Sequence, residues 1–254
     1  PSSWRLVKQD EGEEVVFTMQ GVIEEKNLPP VVEDPKIPKT KMQFLTQSVT
    51  LSGLGTPTFD ESVVALSEVY TVFSRQFPEG RMMPLQNTPS SFGLGSTFVL
   101  SNRYFTRRSE GPQMKSTPFP STVDPRKILT RHLSSSLIHT EENDVQYFTY
   151  EHHFRYHLAS PQNFRIGDIV EVQFSLVVYK MRTEHYVLKP MLYSLALLEA
   201  KYANVTPSIS RPLKRKVGYQ VQEEPVEKKM KTNGERDIEM NSEVSGSIAK
   251  MTLN

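Results

Sequence analysis

Apolar and polar positions alternate most regularly over residues 164–198, where FRIGDIVEVQFSLVVYK and YVLKPMLYSLALLE flank the polar stretch MRTEH. Gly167 and Asp168 supply the backbone freedom and side-chain hydrogen bonding of a turn, and Val170, Val172, Phe174, Leu176 and Val178 then recur with period two. The spacing predicts a strand with one buried face, returning as a hairpin. Glu171, Gln173 and Ser175 fall on the opposite face, expected to be wet as in an antiparallel sheet. Residues 145–156 alternate too, with Phe148, Tyr150, His152, Phe154 and Tyr156 on one side and Val145, Tyr147 and Arg155 on the other. One aromatic strand followed by the hairpin predicts a meander of three antiparallel strands.

Earlier in the chain the pattern is weaker. Residues 15–23 read as a short strand broken by Gly21, and NLPPVVEDPKIPK reads as a linker, because proline lacks the amide hydrogen that a sheet needs. Met42, Phe44 and Thr46 alternate with polar neighbours in a strand expected over 41–51. Thr58 and Glu61 have the capping-box spacing, and Val63, Leu66, Tyr70, Phe73 and Phe77 follow at steps of three and four, which predicts a helix. A strand is expected over 96–106, and Asp124 with Pro125 opens a short helix whose stripe is Ile128, Leu129, His132 and Leu133. The expected fold is β-dominated α+β, a small antiparallel barrel or sandwich, with a five-stranded OB-like barrel among the options. The expected organisation is an acidic, proline-rich arm (1–40), one globular β-rich domain (41–202) and a disordered tail (203–254) too polar to offset ordering entropy.

Composition narrows the function classes. With no cysteine there is neither a disulfide framework nor thiolate chemistry. No apolar run is long enough to cross a bilayer, and PSSWRLVKQDEGEE lacks the apolar centre of a signal peptide, so a soluble intracellular protein is expected. The net charge of +1 conceals a polar distribution: residues 1–34 carry three cations against eight carboxylates, whereas residues 103–131 carry seven cations against two.

Three stretches, DPRKILTRHL, HTEENDVQYF and FRIGDIVEVQFS, together resemble a group of uncharacterised proteins of mushroom-forming fungi. The matching positions are Asp124, Pro125, His139, Thr140, Glu141, Asn143, Val145, Tyr147, Phe164, Gly167, Asp168, Ile169, Val170, Glu171, Gln173 and Ser175, within residues 124–198. The resemblance implies a fungal protein of a multiplied family. It implies no reaction and carries over no catalytic residue.

Two basic clusters in the tail, Lys214, Arg215 and Lys216, then Lys228, Lys229 and Lys231, are separated by a spacer that suits a bipartite nuclear-import signal. An import receptor and a nuclear location are expected from it. Single-strand binders combine positive charge with aromatic stacking surfaces, and Arg103, Tyr104, Arg107, Arg108, Tyr150, Phe154, Arg155 and Arg165 have that composition. Alternating aromatics equally make a core face. Metal binding is not expected: His152 and His153 would point to opposite faces of a strand, and His139 with Glu141 lacks a third ligand. No GxSxG or HExxH arrangement occurs, and no cofactor motif or membrane partner is indicated. The expected function is therefore a non-enzymatic nuclear binding protein, with an unknown protein partner or single-stranded nucleic acid as its ligand.

Overall fold

The computed structural model describes residues 3–84, 88–90, 95–110, 114–151, 155–181 and 183–200. Among these the strands are β1 (Ser3–Arg5), β2 (Phe17–Asn27), β3 (Thr46–Ser52), β4 (Thr88–Pro89), β5 (Ser96–Arg103), β6 (Thr106–Arg107), β7 (Leu137–Ile138), β8 (Gln146–Glu151), β9 (Arg155–Leu158), β10 (Ile169–Lys180) and β11 (Tyr186–Glu199). The helices are α1 (Pro57–Ser74) and α2 (Ile128–His132), and a 3₁₀ turn spans Lys39–Phe44.

Five strands close on themselves. β2 pairs with β3, β3 with β5, β5 with β11 and β11 with β10, and β10 returns to β2. All of these pairings are antiparallel except β5 with β11, which meet in parallel at Ser101 and Met191. The result is a closed Greek-key barrel of the OB type. Its interior is filled by the alternating apolar positions of each strand, including Ile23, Val49, Leu51, Leu100, Val172, Phe174, Leu192 and Leu195, all buried. α1 packs against β2 and β5 and inserts Phe59, Val63, Leu66 and Phe73 into the same core.

The hairpin of β10 and β11 has the expected period, but its second face is less wet than expected. Glu171 and Gln173 reach the surface, whereas Ser175 is buried. The N-terminal segment seals it: β1 pairs with Val177–Tyr179, Ser175 donates to the Tyr193 hydroxyl at 3.0 Å, and Tyr193 donates to Glu14 at 2.8 Å. Arg5 ties this cover down through Glu14 and Glu142, each at 3.0 Å.

Several expectations are corrected. The segment expected to be an arm before the domain supplies β1 and the eleven-residue barrel strand β2, and the proline-rich stretch is the loop from β2 to β3. α1 starts two residues earlier than its capping-box pattern implies, at Pro57 with Thr56 rather than Thr58 as cap residue, and that cap makes no side-chain hydrogen bond. The aromatic strand over 145–156 is two strands, β8 and β9, with Tyr150 opposite Tyr156. The meander is absent, because β8 runs parallel to β11.

Gly53 marks the tightest approach between barrel and helix. A Cβ there would lie 2.3 Å from the Phe59 Cβ, an atom too near the α1 backbone to swing away. Gly53→Ala is expected to destabilise the domain by about 1–3 kcal/mol through overpacking. Thermal unfolding checks this, with a fall of Tm by several degrees as the expected outcome and an unchanged Tm as the contrary one.

Candidate nucleic-acid interface

A second apolar cluster lies beside the barrel core and supports a basic surface. Met42, Tyr104, Phe105, Val123 and Leu129 are buried together, with Val31, Leu45, Phe119, Leu133 and Leu137 packed around them. These residues come from the β2–β3 loop and from the long connection between β5 and β10, so the cluster laces two loops into one wall. Val31 N–H donates to the Val123 carbonyl at 2.9 Å, and Arg126 donates to the Val32 carbonyl at 3.0 Å. Asp124 starts α2 from outside it, accepting from the amides of Ile128, Leu129 and Thr130 at 2.6–3.1 Å; Lys127, in the left-handed region, is the cap residue. Asp124 was expected as the cap residue itself with Pro125 first in the helix; the helix instead begins at Ile128, and Asp124 reaches its amides from four residues ahead.

Against this wall opens a groove of about 820 Å³. Its lining includes Lys39, Arg107, Arg108, Arg131 and His132, together with hydroxyls such as Thr40, Ser109 and Ser134, and no carboxylate. Arg107 is oriented by a hydrogen bond from its Nε to the Gln43 side chain. The nearest acid at the rim is Asp34, 2.8 Å from His132 Nε2 and 3.9 Å from Arg131. The hydrogen bond to His132 holds the Asp34 carboxyl below the usual carboxylate range, so it is ionised at neutral pH. Phe44 follows the lining residue Gln43 by one position and is 68% exposed. Fixed cations, hydroxyl donors and an exposed ring are the groups that hold phosphodiester oxygens and stack bases.

The residues expected to contact nucleic acid do not share one place. Arg107 and Arg108 line the groove. Arg103 leaves the end of β5 and is bound to Glu110 at 2.7 Å. Tyr104 is corrected from a surface ring to a core one: it is 3% exposed, and burial drives its hydroxyl pKa upward. Tyr150 packs on Tyr156 at 5.3 Å in the β8–β9 hairpin, where Arg155 is exposed, and Tyr156 donates to Glu171 at 3.1 Å. Arg165 precedes the Gly167 turn, donating its backbone N–H to Asp168 at 2.6 Å. Phe154 lies outside the described residues, as do Lys214, Arg215, Lys216, Lys228, Lys229 and Lys231.

Lys39, Arg131, His132 and Phe44 were not legible as site residues. Phe44 was expected to share a strand face with Met42, but the 3₁₀ turn places Met42 inward and Phe44 outward. The positive balance of residues 103–131 was a signal for Arg131 alone.

The HTEENDVQY stretch is tied into a network of polar contacts. Asn143 accepts from the Thr140 amide at 3.1 Å and from the Thr106 hydroxyl at 3.0 Å, and Tyr147 donates to Gln47 at 2.7 Å. His139 Nδ1 meets the Tyr104 carbonyl at 2.9 Å while its ring stacks on Phe119 at 4.0 Å. Among the described residues no three His, Asp or Glu side chains gather as a metal site requires, and no helix is long and apolar enough to cross a membrane.

No family model and no curated protein matches the chain. Among solved structures it is similar to gp2.5, a single-stranded DNA binding protein encoded by bacteriophage T7, at 14% identity and a TM-score of 0.39, over 72% of this chain and 91% of that one.

Burial lowers the His139 pKa, with the Tyr104 carbonyl opposing in part. The unfolded chain therefore binds more protons than the folded one just below the ordinary histidine pKa of about 6.5, and stability falls as pH drops through that window. Between pH 7 and 5 the acid-side loss of stability, followed by thermal unfolding, is expected to be steeper in the native chain than in His139→Gln, by up to about 1.4 kcal/mol per pH unit. Parallel profiles would contradict the assignment.

Proposed function

We propose that this chain is a non-enzymatic nucleic-acid-binding protein that holds single strands in the groove between its β2–β3 loop and the β5–β10 connection. The observation that carries this reading is the groove lining, in which Lys39, Arg107, Arg108 and Arg131 converge with no carboxylate among them. Such a site neutralises backbone phosphates, while Phe44 beside it offers a stacking face that paired bases in a duplex cannot use. The barrel type supports the reading by analogy only: OB barrels take oligonucleotides on the face of their second and third strands and on the loop joining the first two, and that loop here carries Lys39 and Gln43. The outer face of β3 and β5 itself carries Thr46, Ser48, Thr50, Val99 and Ser101, small side chains that leave stacking to the loop.

We further propose that the paired basic clusters at Lys214–Lys216 and Lys228–Lys231 address the protein to the nucleus through an import receptor. Replacing Lys214, Arg215, Lys228 and Lys229 by Ala is expected to shift a tagged protein to the cytoplasm; unchanged localisation would remove this part of the reading.

Fluorescence anisotropy with labelled single-stranded and duplex oligonucleotides at several salt concentrations tests the binding function. Single strands are expected to bind more tightly, with affinity falling steeply as salt rises. Arg107→Ala with Arg108→Ala should flatten the slope of log K against log salt by about 1.4, at about 0.7 for each phosphate no longer neutralised. Phe44→Ala should weaken single-strand binding by about 1–3 kcal/mol and leave that slope in place. Absence of binding at low salt would overturn the proposal.

A further inference from the structure

The groove already holds an anion of its own. Asp34, outside the lining itself, presents one carboxylate oxygen to the lining residue His132 at Nε2, 2.8 Å away, and the other to Arg131 Nη2 at 3.9 Å, beside a cleft whose lining contains no acid. One oxygen is hydrogen-bonded to an imidazole and the other stands as a charge pair with a guanidinium, the two kinds of group that receive the non-bridging oxygens of a phosphodiester. The position is not left to chance, because the loop carrying Asp34 is fastened to the segment carrying Arg131 by the Val31–Val123 and Arg126–Val32 hydrogen bonds. The carboxylate nevertheless remains 61% exposed, so it can leave without opening the second core.

We infer that Asp34 is a built-in stand-in for a backbone phosphate, occupying an anion subsite formed by Arg131 and His132 that a bound strand takes over by displacing it. The inference rests on the nucleic-acid reading of the groove. It assigns the Arg131–His132 end a specific ligand, a phosphodiester group, and makes Asp34 an internal competitor that lowers affinity and discriminates against weakly charged ligands. Displacement leaves an ionised carboxylate facing solvent, where it is well hydrated, so the exchange is of one anion for another with no group buried unpaired.

The test compares Asp34→Asn with Glu33→Gln, which removes the same charge one residue away from an exposed position that does not line the groove. Both variants and the native chain are titrated with a labelled single-stranded oligonucleotide across a salt series. Asp34→Asn is expected to bind about 5-fold more tightly at about 0.1 M salt, with a slope steeper by about 0.7, the increments expected for one further neutralised phosphate. Glu33→Gln should change affinity far less, and adding Arg131→Ala to Asp34→Asn should cancel the gain. An equal gain in both single variants would reduce Asp34 to a general field effect and overturn the inference while leaving the binding function standing. Native-like affinity in Asp34→Asn would overturn it likewise. If neither the native chain nor Asp34→Asn bound the oligonucleotide, the underlying reading would fall with it.

Discussion

Everything in the domain depends on how β10 is shared. Its first half pairs with β2 and its second half with β1, while its whole length pairs with β11. That double use closes the five-stranded ring and leaves none of the barrel strands as a bare edge. It also makes the chain cover distance elsewhere: β5 and β10 are successive barrel strands along the chain but not neighbours in the ring, so the connection between them is long. That connection and the loop from β2 to β3 find each other beside the barrel and bury Met42, Phe105 and Leu129 in a cluster of their own. The groove is the outer surface of that cluster. Its charge is therefore carried by loops packed onto a buried cluster.

The polar interior plays a matching part. Gln47, Tyr147, Asn143 and Thr106 form a buried chain of hydrogen bonds reaching from β3 through the turn before β8 to β6. Such groups are costly when unpaired and selective when paired, so they hold the register of the connection that carries Arg107 and Arg108. Much of residues 124–168 is spent on this kind of fixing: Asp124 at the start of α2, Asn143 in its turn, Asp168 on the Arg165 amide. None of these residues needs a ligand to account for it.

Local pattern was legible where local physics decides. The period-two run of β10, the return in β11 and the amphipathic stripe of α1 could be anticipated from residue spacing, and so could a β-dominated fold, with barrel and sandwich both open until β10 is seen to return to β2. What failed was decided across the chain. β2 looked short because its outer half is polar and its partners, β3 and β10, are distant in sequence. Tyr104 looked exposed because basic residues surround it in sequence, yet it turns into the second core. Of the expected interface, Arg107 and Arg108 came together, whereas Arg103 was taken by Glu110 and Tyr150 belongs to the β8–β9 hairpin. Lys39, Arg131 and His132 join the site through loop packing, for which no sequence period exists.

The central claim is that nucleic acid lies in this groove and not on the aromatic hairpin. Amide hydrogen exchange of the full chain, with and without a saturating single-stranded oligonucleotide, addresses that most directly. The account predicts slowed exchange over residues 39–44, 107–109 and 131–137, with β8 and β9 unchanged. Protection confined to β8 and β9, or no protection of the groove segments at saturation, would contradict it.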